Sequence, residues 1–166
     1  ENPLMKPSPL PFGAPVFDKI QDADFKPALE AGISAQRGEV AAIAGSSAAP
    51  TFENTLVALE RSGVLLQRVN LILNALASAN TNPTIQALQE EFAPKLAALD
   101  DAIFLDEKLF ARVEALYASR ASLALDPESA RLLEYYRQKF VRAGARLGAA
   151  DTPALKAMNE EEAGIS

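Results

Sequence analysis

The sequence predicts an all-α fold of about seven helices in a helical-hairpin bundle. Apolar residues recur at intervals of three or four along most of the chain, and no useful stretch alternates between polar and apolar residues as a strand would. Residues that favour helix starts and helix ends separate these periodic segments. Apolar residues make up 49% of the 166 residues, so the predicted helices have enough apolar surface to form a core.

The first 21 residues are predicted to be an extended, proline-rich arm. Five of the 11 prolines fall within residues 1–15, and proline restricts the backbone and removes hydrogen-bond donors. The apolar residues Leu10, Phe12, Val16 and Phe17 favour an arm that docks on the body over a disordered leader. Residues 22–166 then form the helical domain.

The first helix is predicted to begin with Asp22 or Asp24 as its cap and to end at residues 45–50. The next segment reads SSAAPTFENTLVALERSGVLLQRV. Thr51 is expected to cap a helix by accepting a hydrogen bond from a backbone N–H near Asn54. Gly63 marks a break before a further helix that runs to about residue 79.

The remaining predicted helices begin at capping or proline positions: Asn82-Pro83, Asp106, Asp126-Pro127 and Thr152-Pro153. Gly144 is expected to end the third of these helices. In the last helix, Ile165 follows Met158 at a spacing of seven residues, so the apolar face of this helix is still incomplete at residue 166. We therefore expect the domain to be truncated within its last helix.

Composition excludes several classes of function for these residues. The net charge is −6 and the pI is about 4.8, which disfavours binding to a phosphate backbone. No apolar run is as long as a membrane-spanning helix, which needs about 18 residues. With no cysteine and no histidine, the chain has neither a Ser-His-Asp triad nor a histidine- or cysteine-ligated zinc site. The sequence therefore predicts no catalytic residue, no metal ligand and no cofactor within this chain, and neither nucleic-acid nor membrane partners.

Two other polar groups are interpreted as structural. The acidic clusters at Asp100-Asp101, Asp106-Glu107 and residues 160–162 lack the spacing of a calcium loop, so we interpret them as solvated helix faces and caps. Of the adjacent Tyr135 and Tyr136, one is expected to pack and one to lie near the surface, with Tyr136 in the core.

A stripe of small polar residues is the candidate functional site. Asn70, Asn74, Ser78 and Asn82 are spaced by four and so share one helical face. Asparagine is a poor residue for an exposed helix interior, which favours a helix that lines a wet groove or bonds another segment. An ordinary polar face remains the alternative.

Several sequence segments, taken in their order along the chain, resemble the N-terminal region of the bacterial peptidyl-dipeptidases. These enzymes belong to the thimet oligopeptidase and neurolysin family of zinc peptidases. The segments are LPFGAPVFDKIQDADFKPALEAG, PTFENTLVALERSG, SANTNP, APKLAALDDAIFLDEKLFARVEALY and RLLEYYRQKFVRAGARL. The resemblance covers the chain from about Leu10 to its end.

The resemblance implies a largely helical enzyme split by a deep channel, with zinc on the channel floor. In that family the zinc ligands lie C-terminal of the region matched here, and the N-terminal helices form one wall of the channel. The implied reaction is release of dipeptides from the C-terminus of short peptides by a zinc-activated water.

The resemblance also implies that the chain's partners are a C-terminal catalytic region and short peptide substrates. Three alternatives remain open. The first is that the chain is a stand-alone helical binding module, and the second is that its parent cleaves peptides internally. The resemblance suggests a cytoplasmic parent, and a periplasmic parent is the third alternative.

Overall fold

The computed structural model describes residues 1–146 and 151–165, which contain helices and no strand. The helices are α1 (Asp22–Ala44), α2 (Ala58–Glu60), α3 (Val64–Ala79), α4 (Pro83–Phe104), α5 (Glu107–Ala118), α6 (Pro127–Ala143) and α7 (Thr152–Ile165). The very short α2 continues a π-helical turn, Glu53–Val57. The all-α prediction is confirmed. Apart from the very short α2, the described residues form six α-helices, which is close to the expected seven. None of the described helices is both long and apolar enough to cross a membrane.

Local side-chain chemistry starts most of these helices, as predicted. Asn82 accepts a hydrogen bond from the backbone N–H of Ile85 at 2.9 Å, and Asp106 accepts one from Leu109 at 2.7 Å. Asp126 caps α6 in the same way, and Gly144 ends that helix with a φ of 105°. Each cap satisfies backbone groups that a helix terminus leaves without an intrahelical partner.

The predicted cap of α1 was wrong. Gln21 has extended backbone angles and is the N-cap, so Asp22 is already the first helical residue. Asp24 occupies the third helical position, where its carboxylate accepts a hydrogen bond from the Gln21 N–H at 2.8 Å. A carboxylate at this position reaches back to the cap residue, so the acidic residues stabilise the helix start without capping it.

The loop before α2 is fixed to α5 by one buried guanidinium. Thr51 Oγ1 accepts from the Asn54 N–H at 3.0 Å, and Asn54 Oδ1 accepts from the Thr51 N–H at 2.8 Å. Arg112 of α5 donates to the same Asn54 oxygen at 2.9 Å and to the carbonyl oxygens of Ser46 and Ala48 at 3.2 and 3.0 Å. The PTFENT phrase thus combines a helix cap with an anchor for a distant helix.

The core lies between helices that are mostly distant in sequence. α1 packs mainly against α3 and α4, α4 against α7, and α5 against α6. The largest fully buried side chains include Phe25, Leu29, Leu56, Val69, Ile85, Phe92, Leu109 and Phe140. At the α1–α3 contact, a Cβ atom added to Gly32 would lie 2.9 Å from Leu66 Cα. Glycine therefore allows these two backbones to approach closely.

The arm contacts the body at its start. Leu4 is buried, the Asn2 amide donates to the Asp24 carbonyl at 2.7 Å, and Arg68 of α3 donates to the Leu4 carbonyl at 3.1 Å. Of the residues expected to dock, Leu10, Phe12 and Phe17 are instead exposed. The prolines around them limit how far this part of the arm can bend towards the helices.

The expected continuation of α7 depends on Ile165, whose side chain lies outside the described part of the structure.

Candidate functional site

The predicted polar stripe lies along α3 and ends at the start of α4. Gly63 precedes α3 as its N-cap, and its φ of 73° lets the chain turn sharply from α2. Asn70 is half-buried, whereas Asn74 and Ser78 are exposed. Because α3 ends at Ala79, Asn82 lies beyond the helix and belongs to α4 as its N-cap.

The side chains of the stripe are engaged to different degrees. Asn74 Oδ1 accepts a hydrogen bond from Gln89 Nε2 of α4 at 3.2 Å, a long contact at the surface. Asn82 bonds the α4 backbone through Oδ1 and donates from Nδ2 to Asp22 Oδ2 at 2.9 Å. Asn82 therefore ties the start of α1 to the start of α4, while Asn74 keeps most of its hydrogen-bonding capacity.

A groove of about 510 Å³ adjoins the stripe at Asn70. Its polar lining includes Gln36 of α1, Glu60 of α2, Asn70 of α3, Asp100 of α4, and Tyr136 and Lys139 of α6. Apolar residues such as Leu66, Leu99 and Phe104 also line it. Asn74 and Ser78 continue from Asn70 along the exposed face of α3.

Tyr136 crosses the groove to α2. Its hydroxyl donates a hydrogen bond to the Glu60 carboxylate. Burial, followed by this hydrogen bond, raises the pKa of Tyr136 well above its ordinary value, so the phenol stays protonated. Tyr136 is half-buried and Tyr135 is exposed. One packs and the other lies at the surface, as expected, although Tyr136 lines a groove as well as contacting the core.

Asp100 and Lys139 place opposite charges at the same groove. Burial raises the pKa of Asp100, and the Lys139 ammonium acts against that rise. The Lys139 ammonium also lies 4.1 Å from the centre of the Phe104 ring, an arrangement that favours a cation. The groove thus offers a carboxyl, an ammonium, an amide and a phenol within one surface.

The acidic pair on α4 is only partly solvated, which corrects the interpretation from sequence. Asp101 is buried, and its Oδ1 accepts a hydrogen bond from Asn159 of α7 at 2.8 Å. Both residues line a second cavity of about 550 Å³ between α4, α6 and α7. The helical repeat places Asp101 on the side of α4 that α7 covers. The sequence alone gives no signal that α7 packs there.

This arrangement can bind polar groups, but it contains no set of metal ligands. Across residues 1–146 and 151–165, no three aspartate or glutamate side chains come together to hold a metal ion, and the sequence has no histidine or cysteine. The spacing predicted the shared face of Asn70, Asn74 and Ser78 on α3, but the prediction that Asn82 lies on the same helical face was wrong, because α3 ends at Ala79. The Glu60–Tyr136 pair was not predictable, because these residues are 76 positions apart.

Two curated proteins are similar in sequence to this chain over almost its whole length. The chain is 48% identical over 162 residues to the dipeptidyl carboxypeptidase of Salmonella typhimurium, a match that covers 98% of this chain and 24% of that protein. It is 46% identical over 165 residues to the dipeptidyl carboxypeptidase of Escherichia coli, covering 99% of this chain and 24% of that protein. No protein-family model matches.

The chain thus spans about a quarter of the length of the curated relatives that it matches. Over almost its whole length it matches the N-terminal part of the dipeptidyl carboxypeptidases, as its resemblance to the peptidyl-dipeptidases predicts.

Proposed function

We propose that this chain is the N-terminal part of a zinc peptidyl-dipeptidase, which releases dipeptides from the C-terminus of short peptides. One observation carries the proposal: nearly half of the residues are identical to dipeptidyl carboxypeptidases across 98–99% of the chain. Such identity over so long a match supports a shared role in the parent protein. The role of this part is to bind substrate, and the chemistry belongs to the rest of the enzyme.

The polar stripe of α3 is the surface that we assign to the substrate channel. Asn70 lines the groove, and the exposed residues Asn74 and Ser78 continue the same face of α3. An amide side chain both donates and accepts hydrogen bonds, so it can pair with a peptide backbone whatever side chains the peptide carries. Asn82 anchors the end of the stripe through its cap and its bond to Asp22.

The residues of this chain do not fit a catalytic zinc. Zinc in hydrolases is held by histidine, cysteine and carboxylate side chains, and this sequence has neither histidine nor cysteine. The zinc of the whole enzyme would therefore be held by residues beyond these 166, and we assign no step of the hydrolysis to the residues described above.

Replacing Asn74 in the longer enzyme tests the channel assignment. Asn74→Leu removes an exposed amide, so it should raise KM for several unrelated peptides by roughly fivefold to tenfold, the loss of about 1–1.4 kcal/mol of hydrogen bonding. The kcat value, the zinc content and the unfolding temperature should change little. The measurements are steady-state kinetics on three peptides of different sequence, metal analysis and thermal unfolding.

Gln89→Leu is the matched control, because it removes the same Asn74–Gln89 hydrogen bond from the other side. We expect this control to leave KM nearly unchanged. Equal KM values for the two variants and the wild type would contradict the channel assignment, as would a loss of stability in Asn74→Leu with normal kinetics per folded molecule.

A further inference from the structure

Exposed apolar residues of the arm and of α3 lie at one groove or next to it in the chain. Phe12 is 108% exposed, Leu71 is 63% exposed and Val64 is 55% exposed. A groove of about 280 Å³ joins the two elements, lined by Gly13 and Pro15 of the arm and by Val64 and Leu71 of α3, among others. We call these five residues the arm–α3 surface. Clustered exposed apolar residues, unlike scattered ones, mark an interaction site.

The backbone presents Phe12 outward at an energetic cost. Phe12 has a φ of 59°, a left-handed conformation that is unfavourable for a bulky residue. The turn is held by the Gly13 N–H, which donates to the Leu10 carbonyl at 3.1 Å, and by the Ser8 hydroxyl, which donates to the Ala14 carbonyl at 2.5 Å. The exposed ring gains no burial within this chain that would offset the strain.

The arm–α3 surface is also preformed, because the arm is tied to α3. The Arg68 guanidinium on α3 donates to the Leu4 carbonyl, and Leu4 itself is buried in the core. The arm therefore stays beside α3, and a partner would meet an ordered surface. Preformed surfaces lose less conformational entropy on binding.

We infer that the arm–α3 surface docks on an uncharged, apolar surface of the remaining part of a longer chain. This inference rests on the proposed function. The matched relatives are about four times as long as the matched region, so most of such a protein lies outside this structure. Most residues that line the groove are apolar, no acidic residue lines it, and its one cationic residue, Arg68, already donates to the Leu4 carbonyl. An apolar partner surface is therefore the complementary one.

The small size of the surface favours this occupant over a second copy of the chain. A stable dimer needs roughly 800 Å² of buried surface per partner, and three large exposed side chains provide much less. Docking within one chain is different, because the covalent link supplies a high effective concentration. A small apolar surface is then sufficient to hold two parts of one protein together.

The variant Leu71→Glu tests this docking in two contexts. In the 166-residue chain, it replaces an exposed side chain and should leave the urea-unfolding midpoint nearly unchanged. In the longer protein, it would place a charge in a buried contact and should increase the undocked population about tenfold or more. Limited proteolysis measures that population, because cleavage follows the opened form when opening is fast. The cleavage rate should rise by the same factor.

Ala111→Glu is the control, since it adds the same charge to an exposed position of α5, and it should leave the cleavage rate of the longer protein unchanged. Equal cleavage rates for Leu71→Glu and this control would overturn the inference. So would a dimer of the 166-residue chain that Leu71→Glu dissociates while the longer protein is unaffected, because the occupant would then be a second copy.

The same samples separate this inference from the proposed function. Faster cleavage of Leu71→Glu supports the docking even if the longer wild-type protein releases no dipeptides, which would contradict the proposed function alone. If the longer protein releases dipeptides but Leu71→Glu does not change its cleavage rate in limited proteolysis, the docking alone is contradicted.

Discussion

At the scale of single residues, Arg112 has an unusual environment. It is 7% exposed, and its guanidinium donates to three neutral oxygens: two loop carbonyls and the side chain of Asn54. Charged donors make the stronger hydrogen bonds of proteins, and buried acceptors that lose their donor are costly. One side chain therefore joins the loop of residues 46–54 to α5 through three hydrogen bonds.

We predict that Arg112→Met lowers the free energy of unfolding by about 1–3 kcal/mol, because it leaves buried carbonyl and amide oxygens without a donor. Methionine is similar in length, so the change chiefly removes the donors. Urea unfolding of the 166-residue chain measures the effect.

Arg131→Met serves as its control, because Arg131 is exposed on α6 and the replacement should change the stability little. Equal unfolding midpoints for the two variants would show that the loop does not depend on the guanidinium.

At the scale of helices, α1 contains two glycines in different surroundings. Gly32 faces the backbone of α3, where an added Cβ would lie 2.9 Å from Leu66 Cα. Gly38 has nothing within 4 Å of an added Cβ. Both lie within the same helix, so helix propensity affects them alike and only packing distinguishes them.

We predict opposite effects of alanine at these two positions. Gly38→Ala should stabilise the chain by about 0.5–1 kcal/mol, because alanine favours the helix. Gly32→Ala should destabilise it by about 1–3 kcal/mol, because α1 and α3 must move apart. Denaturant unfolding of both variants checks this, and a stabilised Gly32→Ala would mean that the two helices are not in close contact.

At the scale of the whole molecule, the proposed function assigns substrate binding to this chain and hydrolysis to the rest of the enzyme. The groove and stripe contain amide, phenol, carboxyl and ammonium groups. Under the proposed function these groups would bind a peptide, and a metal ion elsewhere in the enzyme would activate water. Activity should therefore appear only when these residues are joined to the rest of the parent.

We predict that the 166-residue chain, incubated with zinc and then dialysed, releases no dipeptides from a short peptide and retains no stoichiometric metal. The longer protein, treated in the same way, should release dipeptides and retain zinc. Metal analysis and a peptide-cleavage assay provide the measurements. One retained zinc per 166-residue chain together with turnover would contradict the proposed division of roles.

The sequence by itself determined the helical class, most helix boundaries and the family resemblance. These features depend on residues close in the chain: apolar spacing of three and four, and caps such as Asn82, Asp106 and Asp126 that reach only two or three residues ahead. Local physics also accounts for the Thr51–Asn54 cap, which the sequence predicted.

Only the tertiary structure decided which side chains those helices bury, bond or leave exposed. Asp101 is covered by α7, Tyr136 bonds Glu60, and Phe12 points away from the body. The polar contacts join residues 58 and 76 positions apart, and no periodic pattern specifies which helix lies opposite another. The partners of a side chain depend on how whole helices pack, which is a property of the assembled core.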